Sequence, residues 1–204
     1  MTEPIRVLVA DDQALLRGAI SALLSLEPDI DVVAEVGRGD EVLPAARTST
    51  PDVAIIDVEM PGLDGLAAAA VLRRELPTCR VLVVTTFGRP GYLRRAMESG
   101  ASGFMVKDAP AHQLADAVRR VHAGLRVVDP ELAAESLAAG DSPLTTREAE
   151  VLKEAHRGST VAEIAASLVL GEGTVRNYLS SAIGKTGSRN RLEAARIAER
   201  NGWL

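Results

Sequence analysis

The sequence predicts an α/β domain built on an open parallel sheet, followed by a smaller all-helical domain. Three observations lead there. Over residues 1–123, five short β-branched or apolar runs alternate with amphipathic stretches, the pattern of repeated strand-then-helix units whose sheet is covered on both faces. From residue 143 onward the strand-like runs stop, and helix-start signals recur at short intervals. Residues 124–142 fit neither pattern and read as a linker.

The elements of the first domain follow in order. The first strand is predicted over Ile5–Ala10, closed by the acidic pair Asp11-Asp12, with a helix over Gln13–Leu26. Val32–Val36 is the second strand and Asp40–Ala46 the second helix. Val53–Ile56 is the third strand and ends at Asp57; Pro61-Gly62 then marks the turn into a helix over Gly65–Leu76. Val81–Val84 runs into Thr85, with Gly88-Arg89-Pro90 turning the chain into a helix over Pro90–Ser99. Gly103–Val106 ends at Lys107 and precedes a helix over Ala111–Ala123. The predicted arrangement is a five-stranded parallel sheet in the order 2-1-3-4-5, because the acidic pair after the first strand must meet Asp57 after the third. In the linker, Val127-Val128 reads as a brief extended piece and Pro130–Ala139 as a short alanine-rich helix, closed by Gly140-Asp141-Ser142-Pro143.

Residues 143–204 are predicted as four helices: Thr146–Arg157, Val161–Leu168, Gly173–Lys185 and Arg191–Arg200. Thr145-x-x-Glu148, Thr160-x-x-Glu163 and Asn190-x-x-Glu193 each match a capping box, in which side chains satisfy the free N–H groups of a first turn. Gly171 takes the N-cap position of the third helix. The second helix, the turn Val169-Leu170-Gly171 and the third helix make a helix-turn-helix.

Composition narrows the class. An apolar content of 47% supports real cores, and no apolar run is long enough to span a bilayer. With no basic-then-apolar leader, the sequence predicts a soluble cytoplasmic protein without membrane insertion. The single cysteine, Cys79, excludes an intramolecular disulfide and, with no histidine near it in sequence, reads as an ordinary small residue. His112, His122 and His156 are scattered without ligand spacing, and an aromatic content of 2% argues against a base-stacking single-strand binder. Charge is uneven. Residues 1–123 hold 13 basic against 17 acidic side chains, residues 124–142 hold 1 against 4, and residues 143–204 hold 9 against 7. Any nucleic acid is therefore met by the C-terminal part.

The chemistry-bearing residues sit at strand ends. In an open parallel sheet the carboxyl ends of the strands line one edge, so Asp11, Asp12, Asp57, Thr85 and Lys107 would converge in a single pocket there. Three carboxylates so close cannot all stay ionised without a cation, and a hard divalent metal such as Mg²⁺ is the natural one beside phosphate. Singly, a strand-end Asp is more often a helix cap, a lone lysine a solvated charge and a lone Phe104 core; the combination outweighs those readings.

The spacing from Asp57 to Thr85 and to Lys107, with Asp11-Asp12 at the first strand and Phe104 three before Lys107, resembles the receiver domain of two-component response regulators. From Leu144, the runs LTTREAEVL, VAEIA and GTVRNYLS resemble the LuxR-type helix-turn-helix. Together they resemble the NarL/FixJ-type transcriptional regulators over almost the whole chain. That resemblance implies that Asp57 accepts a phosphoryl group from a sensor histidine kinase. It implies that Asp12, Asp57, the backbone carbonyl of Glu59 and Asp11 through water hold Mg²⁺. Thr85 and Lys107 would serve the phosphoryl group, and Thr85 with Phe104 would form the switch, Phe104 turning inward when Thr85 moves. The stretch 85–92 and the run Asn190–Ala194 look most like regulators paired with membrane-sensing kinases of the desaturase-thermosensor type.

On the third helix of the second domain, Val175, Leu179, Ala182 and Ile183 share the core face. Arg176 and Asn177 are the expected base contacts, since Arg suits guanine edges and Asn adenine edges, with Thr174 and Ser180 beside them. Lys185, Arg189 and Arg191 are expected on phosphates. Against the family pattern, Gly171 replaces Ser, Gly184 weakens the helix end and Thr186 replaces Leu, which predicts fraying there. A homodimer on double-stranded DNA with two half-sites is expected. Its receiver would pair through Leu15-Leu16 with Val118-Val121 or through the face from Gly88–Ser99 to Gly103–Val121. The last helix would pair through Ala194, Ile197 and Ala198. Two other functions stand beside the phosphorylation-switched regulator. One is a regulator that dimerises without phosphorylation; the other is a Mg²⁺-dependent phosphohydrolase using Asp57, which would leave the helix-turn-helix unexplained.

Overall fold

A computed structural model describes residues 3–86, 90–138 and 142–204. The predicted turn residues Gly88 and Arg89, and the linker residues Ala139, Gly140 and Asp141, lie outside the described residues. The chain divides into two units, a first that ends at Ala133 and a second that runs from Ala134 to Leu204 and also takes in the short segment up to Tyr92 at the start of the fourth helix.

The first unit alternates β1 (Ile5–Ala10), α1 (Ala14–Leu24), β2 (Ile30–Val36), α2 (Gly39–Ser49), β3 (Val53–Ile56), α3 (Gly65–Glu75), β4 (Arg80–Thr85), α4 (Pro90–Glu98), β5 (Gly103–Val106), α5 (Ala111–His122) and β6 (Val127–Val128). All pairings are parallel, in the order β2-β1-β3-β4-β5-β6. The sheet therefore has six strands where the sequence predicts five. The added strand is two residues long, too short to show a period. It is held by the pairs Gly103–Val127 and Phe104–Val128 and by the Val127 N–H donating to the Ser102 carbonyl at 3.2 Å. Gly103 permits this approach, since a Cβ there would lie 2.7 Å from the Leu82 side chain and 3.1 Å from the Val127 carbonyl.

Near-continuous apolar strands follow from burial on both faces. Val7, Val9, Ile55, Leu82 and Val84 pack with Ile20 and Leu24 of α1 and with Leu114, Val118 and Val121 of α5. Leu8, Ile56 and Val83, one position out of step, are equally buried, and α2 and α3 pack on the sheet as well. Val118 and Val121 are thus core residues, which corrects their assignment to a pairing surface: the apolar stripe of α5 faces its own sheet. α2 continues past the predicted end at Ala46 to Ser49 even though Pro44 lies inside it. The proline forfeits only the backbone bond to Asp40, near the start of the helix.

After α6 (Pro130–Ala138), the second unit holds α7 (Thr146–His156), α8 (Val161–Ser167), α9 (Glu172–Thr186) and α10 (Arg191–Arg200). Thr145/Glu148 and Thr160/Glu163 form complete capping boxes. The third match is one-sided. Asn190 accepts from the Leu192 and Glu193 amides, but the Glu193 carboxylate turns to Arg189. Val151, Leu152, Ile164, Val175, Leu179 and Ala182 form the core with Ala194 and Ala198, and Trp203 packs against it. Ala194 and Ala198 therefore belong to the domain's own interior rather than to a dimer contact. The C-terminal end of α9, where fraying is expected in the absence of DNA, is helical here. The helix runs through Gly184 to Thr186 and ends at Gly187 in the left-handed region (φ 63°), with Ser188 N–H reaching back to the Ile183 carbonyl at 3.1 Å.

Candidate functional site

Each pocket residue is positioned by pairing that continues just past a strand end. The Asp11 amide donates to Val36, the Asp57 amide to Ala10 and the Lys107 amide to Thr85, at 3.1, 2.9 and 2.8 Å. Asp11, Asp57, Thr85 and Lys107 therefore meet at the carboxyl edge of the sheet. The Lys107 ammonium lies between two carboxylates, 2.7 Å from Asp11 Oδ2 and 2.8 Å from Asp57 Oδ2, with only 6% of its side chain exposed. The second oxygen of each aspartate is tethered: Asp57 Oδ1 accepts from the Val58 amide at 2.7 Å and Asp11 Oδ1 from the Gln13 amide at 2.9 Å.

Asp12 stays exposed, and oxygens of Asp11, Asp12 and Asp57 fall within 4.8 Å of one another. That all-oxygen donor set suits a hard divalent cation. Burial pushes the Asp57 carboxyl above its usual range, Lys107 opposes this, and the like charge of Asp11 adds to it. Burial also works against the charge on Lys107, but its hydrogen bonds to Asp11 and Asp57 outweigh that and leave the ammonium above its ordinary value. Glu59 lies in the turn after Asp57 with an exposed side chain. Close packing holds this turn. A Cβ on Gly65, the first residue of α3, would lie 1.7 Å from the Asp57 carbonyl oxygen, and the Gly65 amide donates to Val58 at 2.9 Å.

Thr85, buried at the end of β4, is in register with Val106, and Phe104 with Val83. Phe104 is already fully buried. It lines a cleft of about 250 Å³ with Gln113, Ala117 and Arg120 of α5 and Val127 and Val128 of β6.

In the second unit, Thr174, Arg176, Asn177 and Ser180 are exposed along α9, opposite the buried Val175, Leu179 and Ala182. The cations around them have protein partners. Arg176 pairs with Glu172 at 2.7 Å and Arg189 with Glu193 at 3.0 Å, both as exposed i,i+4 pairs. Arg191 donates to the Ser159 carbonyl at 3.4 Å. Lys185 instead reaches the buried Glu148 at 2.7 Å. Sequence reasoning takes Glu148 as a cap alone and misses this tie, because nothing local signals a contact between residues 37 positions apart.

Comparison with known proteins places two family models on the chain: a response regulator receiver domain over residues 7–119, and the bacterial regulatory proteins of the luxR family over residues 142–198. An uncharacterized transcriptional regulatory protein, YvfU of Bacillus subtilis, is 44% identical over 98% of this chain and 100% of its own. The transcriptional regulatory protein DesR of the same organism is 42% identical over 98% and 99%, and the response regulator RamR of Streptomyces coelicolor 42% over the whole of both. Among solved structures, the response regulator ChrA of a heme-sensing two-component system matches at TM-score 0.60 and 32% identity over the full length of both chains.

Proposed function

The chain belongs to the response regulators that join a receiver domain to a LuxR-type helix-turn-helix, and from that premise we propose that Asp57 is its phosphoacceptor and the switch for its DNA binding. It is a transcription regulator that works with a sensor histidine kinase, binds double-stranded DNA and dimerises. The observation that carries the assignment of Asp57 is the Lys107 ammonium held between Asp57 and Asp11 at the carboxyl edge of the sheet.

Transfer forms a bond from an Asp57 carboxylate oxygen to phosphorus as the bond from phosphorus to the kinase's histidine nitrogen breaks. The moving group spreads negative charge over its equatorial oxygens, so positioning and charge neutralisation are the main requirements. Lys107 supplies a fixed cation within reach of Asp57, and the Val58 amide holds the carboxylate's orientation. Asp11, Asp12, Asp57 and the Glu59 carbonyl would hold Mg²⁺, which supplies further neutralisation when bound. Thr85 then donates its hydroxyl to a phosphoryl oxygen, a bond available only after phosphorylation, so it biases a two-state loop with Phe104.

The receiver is taken as residues 1–123, the linker as 124–142 and the DNA-binding domain as 143–204. Arg176 and Asn177 read base edges, with Thr174 and Ser180 beside them, while Arg189 and Arg191 meet phosphates. Exposed Leu15 (90%), with Leu23 and Leu26, supports pairing of receivers over α1, whereas Leu16 packs inward. The other face considered, across residues 88–121, begins outside the described residues. The protein is a regulator rather than an enzyme and works in the cytoplasm. β3 passes into α3 through a short turn with no substrate-capping insertion, and no helix among the described residues is long and apolar enough to cross a membrane. A kinase of the membrane-sensing class fits the stretches 85–92 and Asn190–Ala194.

Sedimentation with Mg²⁺, with and without beryllofluoride, tests the reading. Wild type should shift from monomer to dimer, and Asp57→Ala should not. Equal masses in wild type overturn dimerisation as the output, and specific DNA binding untouched by Asp57→Asn favours the phosphorylation-independent regulator.

A further inference from the structure

We infer that Lys185 is not a phosphate contact. With Ser181 it is a positioning residue, clamped by the buried Glu148 to set the pose of the recognition helix α9; the inference rests on the DNA-binding reading above. Glu148, the third residue of α7, is 4% exposed and receives three donors. The Thr145 amide donates to Oε2 at 2.6 Å, Lys185 Nζ donates to Oε2 at 2.7 Å, and the Ser181 hydroxyl donates to Oε1 at 2.5 Å. Both carboxylate oxygens are thus engaged, one by α7's own cap and α9, the other by α9 alone.

A buried carboxylate left without its cation is costly, so Lys185 cannot turn to a DNA phosphate without abandoning Glu148. Arg176 and Arg189 are tied instead in surface i,i+4 pairs with Glu172 and Glu193, which contribute little and exchange readily. Ser181 and Lys185 are four residues apart, and Asn177 four before Ser181, so the three lie along one ridge of α9. Arg176 stands next to that ridge. Fixing the ridge's last two members against α7 therefore fixes the rotation and depth at which Asn177 and Arg176 are presented. A displacement of about 1 Å is enough to lose a bidentate base contact while leaving backbone contacts reachable.

The two roles separate in solution. The probes are a duplex selected by the beryllofluoride-activated full-length protein from a random pool, and a scrambled duplex of equal length, each titrated across a salt series. Lys185→Met should weaken binding to the selected duplex on the order of tenfold and leave the scrambled duplex and the salt slope unchanged. Ser181→Ala, which keeps both charges, should lower the selected-to-scrambled ratio in the same direction. Glu148→Gln combined with Lys185→Met should lose no more than the larger single loss. Trp203 fluorescence verifies that each variant is folded. A phosphate contact predicts otherwise: a slope reduced by about 0.9 per protomer with both duplexes weakened alike, and that result overturns the inference, as does unaltered binding to both. A wild type that selects no duplex overturns the DNA-binding reading and this inference with it.

Discussion

Replacing Glu148 by Gln should destabilise the second unit strongly at neutral pH and much less in acid. Burial alone would raise the Glu148 carboxyl, but Lys185, Ser181 and the Thr145 amide hold it down, from an ordinary 4.5 to about 2. The folded state therefore binds this proton more weakly than the unfolded chain. The stabilisation is complete above pH 4.5 and is lost as pH falls from 4.5 toward 2. At neutral pH that displacement corresponds to at most about 3 kcal/mol, a large share of the stability of so small a unit. With a urea m-value of about 1–1.5 kcal/mol/M, the midpoint should move by roughly 2 M. The assay is urea unfolding followed through Trp203, the only tryptophan of the chain and packed against the core of this unit. Near pH 3 the gap between wild type and variant should shrink toward the roughly 1 kcal/mol of a weakened cap. An identical gap at pH 3 and pH 7 would refute the reasoning, because the loss would then owe nothing to the carboxylate's charge.

Two further outcomes concern the first unit. Cys79 is buried, with its thiol pushed up to about 12 by burial and by the charge of Asp52, so a thiol reagent at pH 8 should react only when this unit opens. Its rate against urea should track circular dichroism of the sheet rather than Trp203 fluorescence, and prompt reaction of the native protein would contradict the burial. Gly65→Ala forces the turn after Asp57 to move, because the new Cβ would sit 1.7 Å from the Asp57 carbonyl oxygen. Phosphorylation by a small phosphodonor should slow on the order of tenfold or more, as misplacement of a reacting group does; an unchanged rate in a folded variant would show that the turn can shift without moving the carboxylate.

The pocket was legible because each of its residues ends an apolar run, and a parallel sheet carries all such ends to one edge. The spacing of Asp57, Thr85 and Lys107 reads directly as the third, fourth and fifth strand ends. What escaped was whatever local pattern does not encode. β6 has two residues, and its pairing depends on the bare backbone of Gly103 at the edge of β5. The stripes of α5 and α10 were visible as apolar, but periodicity does not say whether a stripe meets its own core. Val118, Val121, Ala194 and Ala198 turned inward, while Leu15 stayed out. In the second unit the same limit hid the acceptor of Lys185, since a Thr-x-x-Glu signature is satisfied by a cap and gives no hint of a second duty.

The two contacts between a lysine and a buried carboxylate show why similar chemistry serves opposite ends. Glu148 is enclosed by donors and held below its ordinary range, so no entering cation could improve its position by much. Asp57 lies deeper in the protein, and its carboxyl is held above its ordinary range, because burial and the charge of Asp11 outweigh what Lys107 returns. A carboxylate in that condition gains from any added positive charge, and the exposed Asp12 leaves one side of the cluster open to it. Partial compensation also leaves a nucleophile available, where three closed hydrogen bonds would hold it back. The first arrangement fixes a helix, and the second keeps a reactive oxygen ready for a phosphoryl group whose charge Lys107 already stands beside.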